Sequence, residues 1–170
     1  RRARILAREH LDDGHPLYAE IDLEEGTALG RSGQLEGAQQ RFSAAAVAFD
    51  RLADHHRAAE AHNGLGSALY EIGRLAEAMS EYTAAQRRWR MLAEPQAQVA
   101  TMNNMGNVQH MLGELETARD TYTVVVERAA QIGQQRYASY GREGLATVER
   151  DLGRLEAATT LYTIAIHEAQ

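Results

Sequence analysis

Residues 63–85 read NGLGSALYEIGRLAEAMSEYTAA, and residues 103–125, forty positions further on, read NNMGNVQHMLGELETARDTYTVV. The two stretches share a small residue (Gly66, Gly106), a glycine (Gly73, Gly113), a leucine two residues later (Leu75, Leu115), an alanine (Ala78, Ala118) and an aromatic (Tyr82, Tyr122). The same register extends outward in both directions. Gly33 and Gly153 complete the glycine column, Leu35 and Leu155 the leucine column, and Ala38 and Ala158 the alanine column. Phe42 and Tyr162 complete the aromatic column, and Gly26 and Ala146 the small one. With 14 glycines in 170 residues, four in one column of such a period arise by chance with a probability of roughly 0.002, so the chain is a repeat.

Each unit reads as two helices and a tight turn. Leu75, Ala78, Tyr82, Ala85 and Trp89 recur at the spacing that lines one face of a helix. Leu65, Leu69 and Ile72 line a face of the helix before it. Gly73 stands where a helix stops, because a residue without Cβ enters the left-handed conformation cheaply. The alanine and small columns suit two antiparallel helices whose backbones approach closely, and the aromatic column fills the space between successive units. Only two prolines occur, Pro16 and Pro95, and strand-like alternation is missing, which is an all-helical pattern.

In this register the two quoted stretches resemble tetratricopeptide repeats. The forty-residue period exceeds the family's usual 34 and is similar to the extended variety of kinesin light chains, Pins-type adaptors and bacterial signalling and transcription regulators. The resemblance implies an all-α fold, a right-handed superhelical solenoid of antiparallel helix pairs. The expected units are 19–58, 59–98, 99–138 and 139–170, with 1–18 the end of a preceding repeat. Leu11 falls near the column of Leu52, Leu92 and Ile132, so the chain reads as an excised section of a longer array. The first unit departs from the pattern, with Glu25 and Ser32 where Leu65 and Ile72 are apolar. The family's proline near the end of each unit is absent from all four, as expected when the second helix runs on. A HEAT-type solenoid has a similar period but does not require this glycine, alanine and aromatic register.

Composition narrows the function classes. The formal charge is −6, and all 18 basic residues are arginine; an acidic chain of this kind is not a general nucleic-acid binder. No apolar run approaches the length of a membrane span, and the expected location is cytoplasmic. Cysteine is absent, which excludes disulfides and thiolate metal sites. GLGSAL at 64–69 lacks the third glycine and the preceding strand of a dinucleotide loop. DHHRAAEAH at 54–62 contains no metal-binding helical pair, and His55 and His56 are expected in a loop between units. RRAR at 1–4 and RRWR at 87–90 read as solvated faces, and Met102, Met105 and Met111 as core or groove lining. No catalytic, metal or cofactor site is expected.

In such a superhelix the first helix of each unit lines the concave face. The residues turned away from its packed stripe form three columns. They are Leu23, Asn63, Asn103 and Glu143; Thr27, Ser67, Asn107 and Thr147; and Gly30, Tyr70, His110 and Arg150. The candidate groove residues are Asn63, Ser67, Tyr70, Asn103, Asn104, Asn107, His110 and Arg150. An amide carries both donor and acceptor, so it pairs with a peptide backbone irrespective of sequence. The resemblance points the same way, since asparagines at the places of Asn104 and Asn107 hold a bound segment's main chain in related adaptors. The other reading is that these amides bridge adjacent repeats or bind only water.

The expected function is a protein-interaction scaffold that receives a peptide or helical segment of a partner, or of the same parent chain. The alternative is a regulatory domain of a bacterial transcription or signalling protein that senses a small ligand or signal peptide. Glu20, Glu60, Glu71, Glu143 and Asp151 outnumber Arg31, Arg142 and Arg150 among groove positions, so neutral or basic segments are favoured over acidic tails. The segment AATTLYTIAIH at 157–167 is unusually apolar for the outer helix of a unit. Leu161, Ile164 and Ile166 are therefore expected to be covered by a further helix or a second copy.

Overall fold

The computed structural model describes residues 15–168, with side chains as far as residue 164. RRAR at 1–4, Leu11 and the side chain of Ile166 lie outside the described residues. Among the described residues there are eight helices and no strand: α1 (Pro16–Arg31), α2 (Leu35–Arg51), α3 (His55–Ile72), α4 (Leu75–Met91), α5 (Pro95–Met111), α6 (Leu115–Gln131), α7 (Gln135–Asp151) and α8 (Leu155–Glu168). The expected boundaries at 59, 99 and 139 fall one turn inside α3, α5 and α7. His55 and His56 belong to the first turn of α3 and not to a loop, because Asp54 caps that helix by accepting a hydrogen bond from the Arg57 N–H at 3.0 Å.

The turns repeat at half the sequence period. Gly33, Ala53, Gly73, Ala93, Gly113, Gly133 and Gly153 all have positive φ, from 53° at Ala53 to 87° at Gly73. At six of these seven turns the residue after the left-handed one returns its N–H to a carbonyl five residues back, as Arg74 does to Leu69 at 2.9 Å and Asp54 to Phe49 at 3.0 Å. The helix-final carbonyls are thereby satisfied and the chain is reversed. The turn inside a pair and the turn between pairs thus use one device, although at 53 and 93 it is built on alanine.

The chain divides into two compact units, one ending at Leu92 and the other beginning at Ala93. The first holds the pairs α1–α2 and α3–α4. Its core gathers Ala19, Ala45, Ala46, Phe49, Ala58 and Ala61, with Leu23 and Ala48 packed against it. The second holds α5–α6 and α7–α8. Val99, Val125, Ala129 and Ala138 pack together there, with Met102, Ile132 and Tyr137 beside them, and a neighbouring cluster joins Ala118, Tyr122 and Val148. Met111 is 59% exposed, so it lines no core: it falls on the final turn of α5, past the packed stripe.

Small residues allow the close approach that the sequence pattern implies. A Cβ on Gly26 would stand 2.9 Å from the Phe42 ring, one on Gly66 2.8 Å from Tyr82, and one on Gly106 2.8 Å from Tyr122. The alanine column Ala38, Ala78 and Ala118 is fully buried. The ring also meets the following pair. A Cβ on Gly64 would stand 2.5 Å from Phe42, and one on Gly144 2.5 Å from Tyr122. The unusual first unit has its own tie, since Arg41 of α2 reaches both Asp22, at 3.0 Å, and Glu25, at 3.1 Å, on α1.

Candidate functional site

The three candidate columns fall on α1 and α3 in the first unit and on α5 and α7 in the second. Ser67, Asn107 and Thr147, the middle column, each meet the aromatic hydroxyl of their own pair. Tyr82 donates to Ser67 Oγ at 3.1 Å and Tyr122 donates to Asn107 Oδ1 at 2.6 Å, while Thr147 Oγ1 lies 3.1 Å from the Tyr162 hydroxyl. In the first pair Phe42 has no hydroxyl, and Thr27 keeps only the bond to its own helix at Leu23 O that Ser67 and Thr147 also make to Asn63 O and Glu143 O. Burial pushes the Tyr82 phenol up to about 12, against the opposing pull of the Ser67 hydrogen bond. These short polar side chains therefore hold the aromatic column at its polar tip while remaining part-exposed. Asn107 keeps its side-chain N–H donors for another partner.

In the second unit Asn103, Asn104, Asn107 and His110 lie along α5, and Arg150 near the end of α7. Asn103 Oδ1 is buried with no hydrogen-bond partner. His110 Nε2 stands 2.8 Å from Asp151 Oδ2, and Arg150 Nε donates to Asp151 Oδ1 at 2.9 Å. The hydrogen bond from His110, then that from Arg150, holds the Asp151 carboxyl below its ordinary value. Arg150 is thus engaged by its chain neighbour, not presented alone to a ligand.

In the first unit Asn63, Ser67 and Tyr70 lie along α3; Asn63 and Ser67 border two adjoining clefts against α1, and Tyr70 lines neither. The outer cleft, about 340 Å³, is edged by Glu24, Glu60 and Asn63. The inner, about 200 Å³, is lined by Leu35, Ala68 and Ser67 with Glu71 at its edge. Thr27, Phe42 and Gly64 belong to both. Sequence reasoning did not anticipate these clefts. The available signal was the first glycine of NGLG at 63–66, which stands outside the five repeat columns and is needed because only a glycine fits over Phe42 there.

The histidine-rich stretch is absorbed by the scaffold. His56 meets Trp89 edge-on at 5.1 Å. His62 places Nδ1 2.6 Å from Glu81 and Nε2 3.2 Å from Asp50, and Arg88 of the RRWR cluster also binds Asp50. Among the described residues no group of three or more His, Asp or Glu is placed to hold a metal ion, and no helix is long and apolar enough to cross a membrane.

Paired helices of similar length, reversed by a recurrent left-handed turn and locked by a buried aromatic over a small residue, define a helical-repeat protein. Two models of the tetratricopeptide repeat match the chain, one at residues 23–90 and one at 57–131. The chain belongs to the tetratricopeptide repeat family, and its fold is that family's solenoid of helix pairs. No curated protein matches it in sequence.

Solved structures share the fold at low identity. The Rap conjugation gene regulator of the plasmid pLS20, in complex with a Phr peptide, superposes with a TM-score of 0.78 at 18% identity over 88% of this chain and 42% of that one. Aspartyl phosphate phosphatase F from Bacillus subtilis gives 0.83 at 13% identity, over 91% of this chain and 41% of that one. A kinesin light chain-like repeat protein from Podosopora anserina gives 0.79 at 15% identity, over 97% and 81%. The chain therefore spans about two-fifths of the first two.

Proposed function

We propose that this chain is a non-catalytic interaction module whose α1/α3 and α5/α7 faces receive an extended or helical segment of a partner protein. The observation that carries the reading is the amide of Asn103, part-exposed on α5. Asn104 and the free donors of Asn107 flank it on the same helix, so the amides offer a peptide both donors and acceptors. Family membership supports the same reading.

A second reading is favoured by one likeness: a gene regulator of the same fold has been solved with a peptide bound. On that reading the segment is a signal peptide and the chain is the sensing part of a longer regulator. Panning a random peptide library against the chain tests both. Enriched peptides that bind with micromolar affinity and lose it on Asn103→Ala with Asn104→Ala support the reading. Failure to enrich any peptide, or binding untouched by that double substitution, overturns it.

A further inference from the structure

The clefts between α1 and α3 are built for one kind of side chain. The inner cleft has an apolar floor of Leu35, Phe42 and Ala68, and its opening exists because Gly30 and Gly64 put no side chain over it. Phe42 is only 7% exposed, so the floor is recessed, and the adjoining clefts have volumes of about 200 and 340 Å³. Around this floor stand Glu71 on one side and Glu24 and Glu60 on the other, all exposed. Among the described residues Glu24 and Glu71 have no ion-pair partner, and Glu60 has only His56, at 3.9 Å. The nearest arginine on α3, Arg57, is spent elsewhere, on Glu20 at 2.8 Å and Asp54 at 3.5 Å.

We infer that the partner segment anchors in the first unit through an arginine or lysine side chain, whose aliphatic stem lies over Phe42 and whose cationic head meets Glu71 or the Glu24–Glu60 edge. This inference rests on the groove reading and adds the chemistry of its occupant. The amphipathic shape of the site decides among side chains. A purely aliphatic residue would fill the floor but strip water from carboxylates that then lack a partner. An acidic residue would be repelled by all three. Arginine and lysine alone combine an apolar stem with a positive end, burying the one while the other stays hydrated at the rim. Lining charges of one sign also steer such a segment toward the cleft.

The library selection described above separates the outcomes. Enriched peptides should share an arginine or lysine at one fixed position. For the strongest of them, made synthetically, Glu24→Gln with Glu71→Gln should weaken binding roughly ten-fold, as should replacing the basic residue by norleucine. The two changes together should cost little more than either alone, because they remove the same interaction. Peptides that bind without a fixed basic residue, or strictly additive losses, overturn the inference and leave the groove reading standing. A selection that yields no binder sinks both.

Discussion

Asn107 ties recognition to folding, and truncating it measures how far. Its Oδ1 accepts a 2.6 Å hydrogen bond from the hydroxyl of Tyr122, a residue 2% exposed that also packs against Gly106 of its own pair and Gly144 of the next. Asn107→Ala removes that acceptor from a buried hydroxyl, which costs about 1–2 kcal/mol. Alanine returns about 0.5 kcal/mol through its better helix propensity. The net loss is about 1 kcal/mol, which for a chain of this length lowers Tm by about 2–4 °C. Asn104→Ala, with no such bond, should stay within about 0.5 kcal/mol of the parent. Melting followed by circular dichroism, on both single variants and on Tyr122→Phe with and without Asn107→Ala, provides the assay. The two changes at the bond should be markedly non-additive. If Asn107→Ala melts with the parent, or the pair adds independently, the hydrogen bond contributes nothing and the middle column serves only ligands.

Ala53 sits at φ 53° where Gly133 occupies an equivalent turn, so Ala53→Gly relieves about 1 kcal/mol of strain and returns part of it as unfolded-chain freedom, for a net gain of about 0.5 kcal/mol. Gly133→Ala, at φ 70°, should lose about 1 kcal/mol in the same denaturant titration, and a falling midpoint for Ala53→Gly would refute the strain. Asp151 is held below its ordinary 3.8 by His110 first and Arg150 second; a depressed carboxyl contributes stability above its unfolded pKa, and the contribution disappears as pH falls through the lower folded value. Asp151→Asn should flatten that acid limb of Tm against pH, and an unchanged limb would show the pair to be idle. On α8, Leu155 is 64% and Ile164 41% exposed while Leu161 is half-buried, so sedimentation should show concentration-dependent association abolished by Ile164→Glu; a monomer at all concentrations removes that expectation.

The period, the helix pairing and the glycine, alanine and aromatic columns were legible because each rests on one local demand repeated four times. Two things were not. The second left-handed turn of each period hides at Ala53 and Ala93, where the residue gives no glycine signal and the strain is carried by the surrounding helices. The role of Asn107 was half legible: its place off the packed stripe of its helix follows from periodicity, but the partner of its Oδ1 lies fifteen residues away on the next helix. Glu25 interrupts the apolar column of the first unit because Arg41 stands beside it, 3.1 Å away. A polar residue at an apolar column signals a partner across the pair, and only the packed helices reveal which one.

Within each unit the ring of the first pair touches a glycine of the second, Gly64 against Phe42 and Gly144 against Tyr122. Adjacent modules therefore obey a word order. The pair beginning at Pro95 carries Asn104 at the position of Gly64, and even a bare Cβ at Gly64 would lie 2.5 Å from Phe42. Spliced directly after α2, that pair would drive a side chain into the ring and forfeit its seat. Pairs that look interchangeable by length are thus addressed to particular neighbours: within each unit the aromatic of the first pair is followed, twenty-two residues later, by a residue with no side chain.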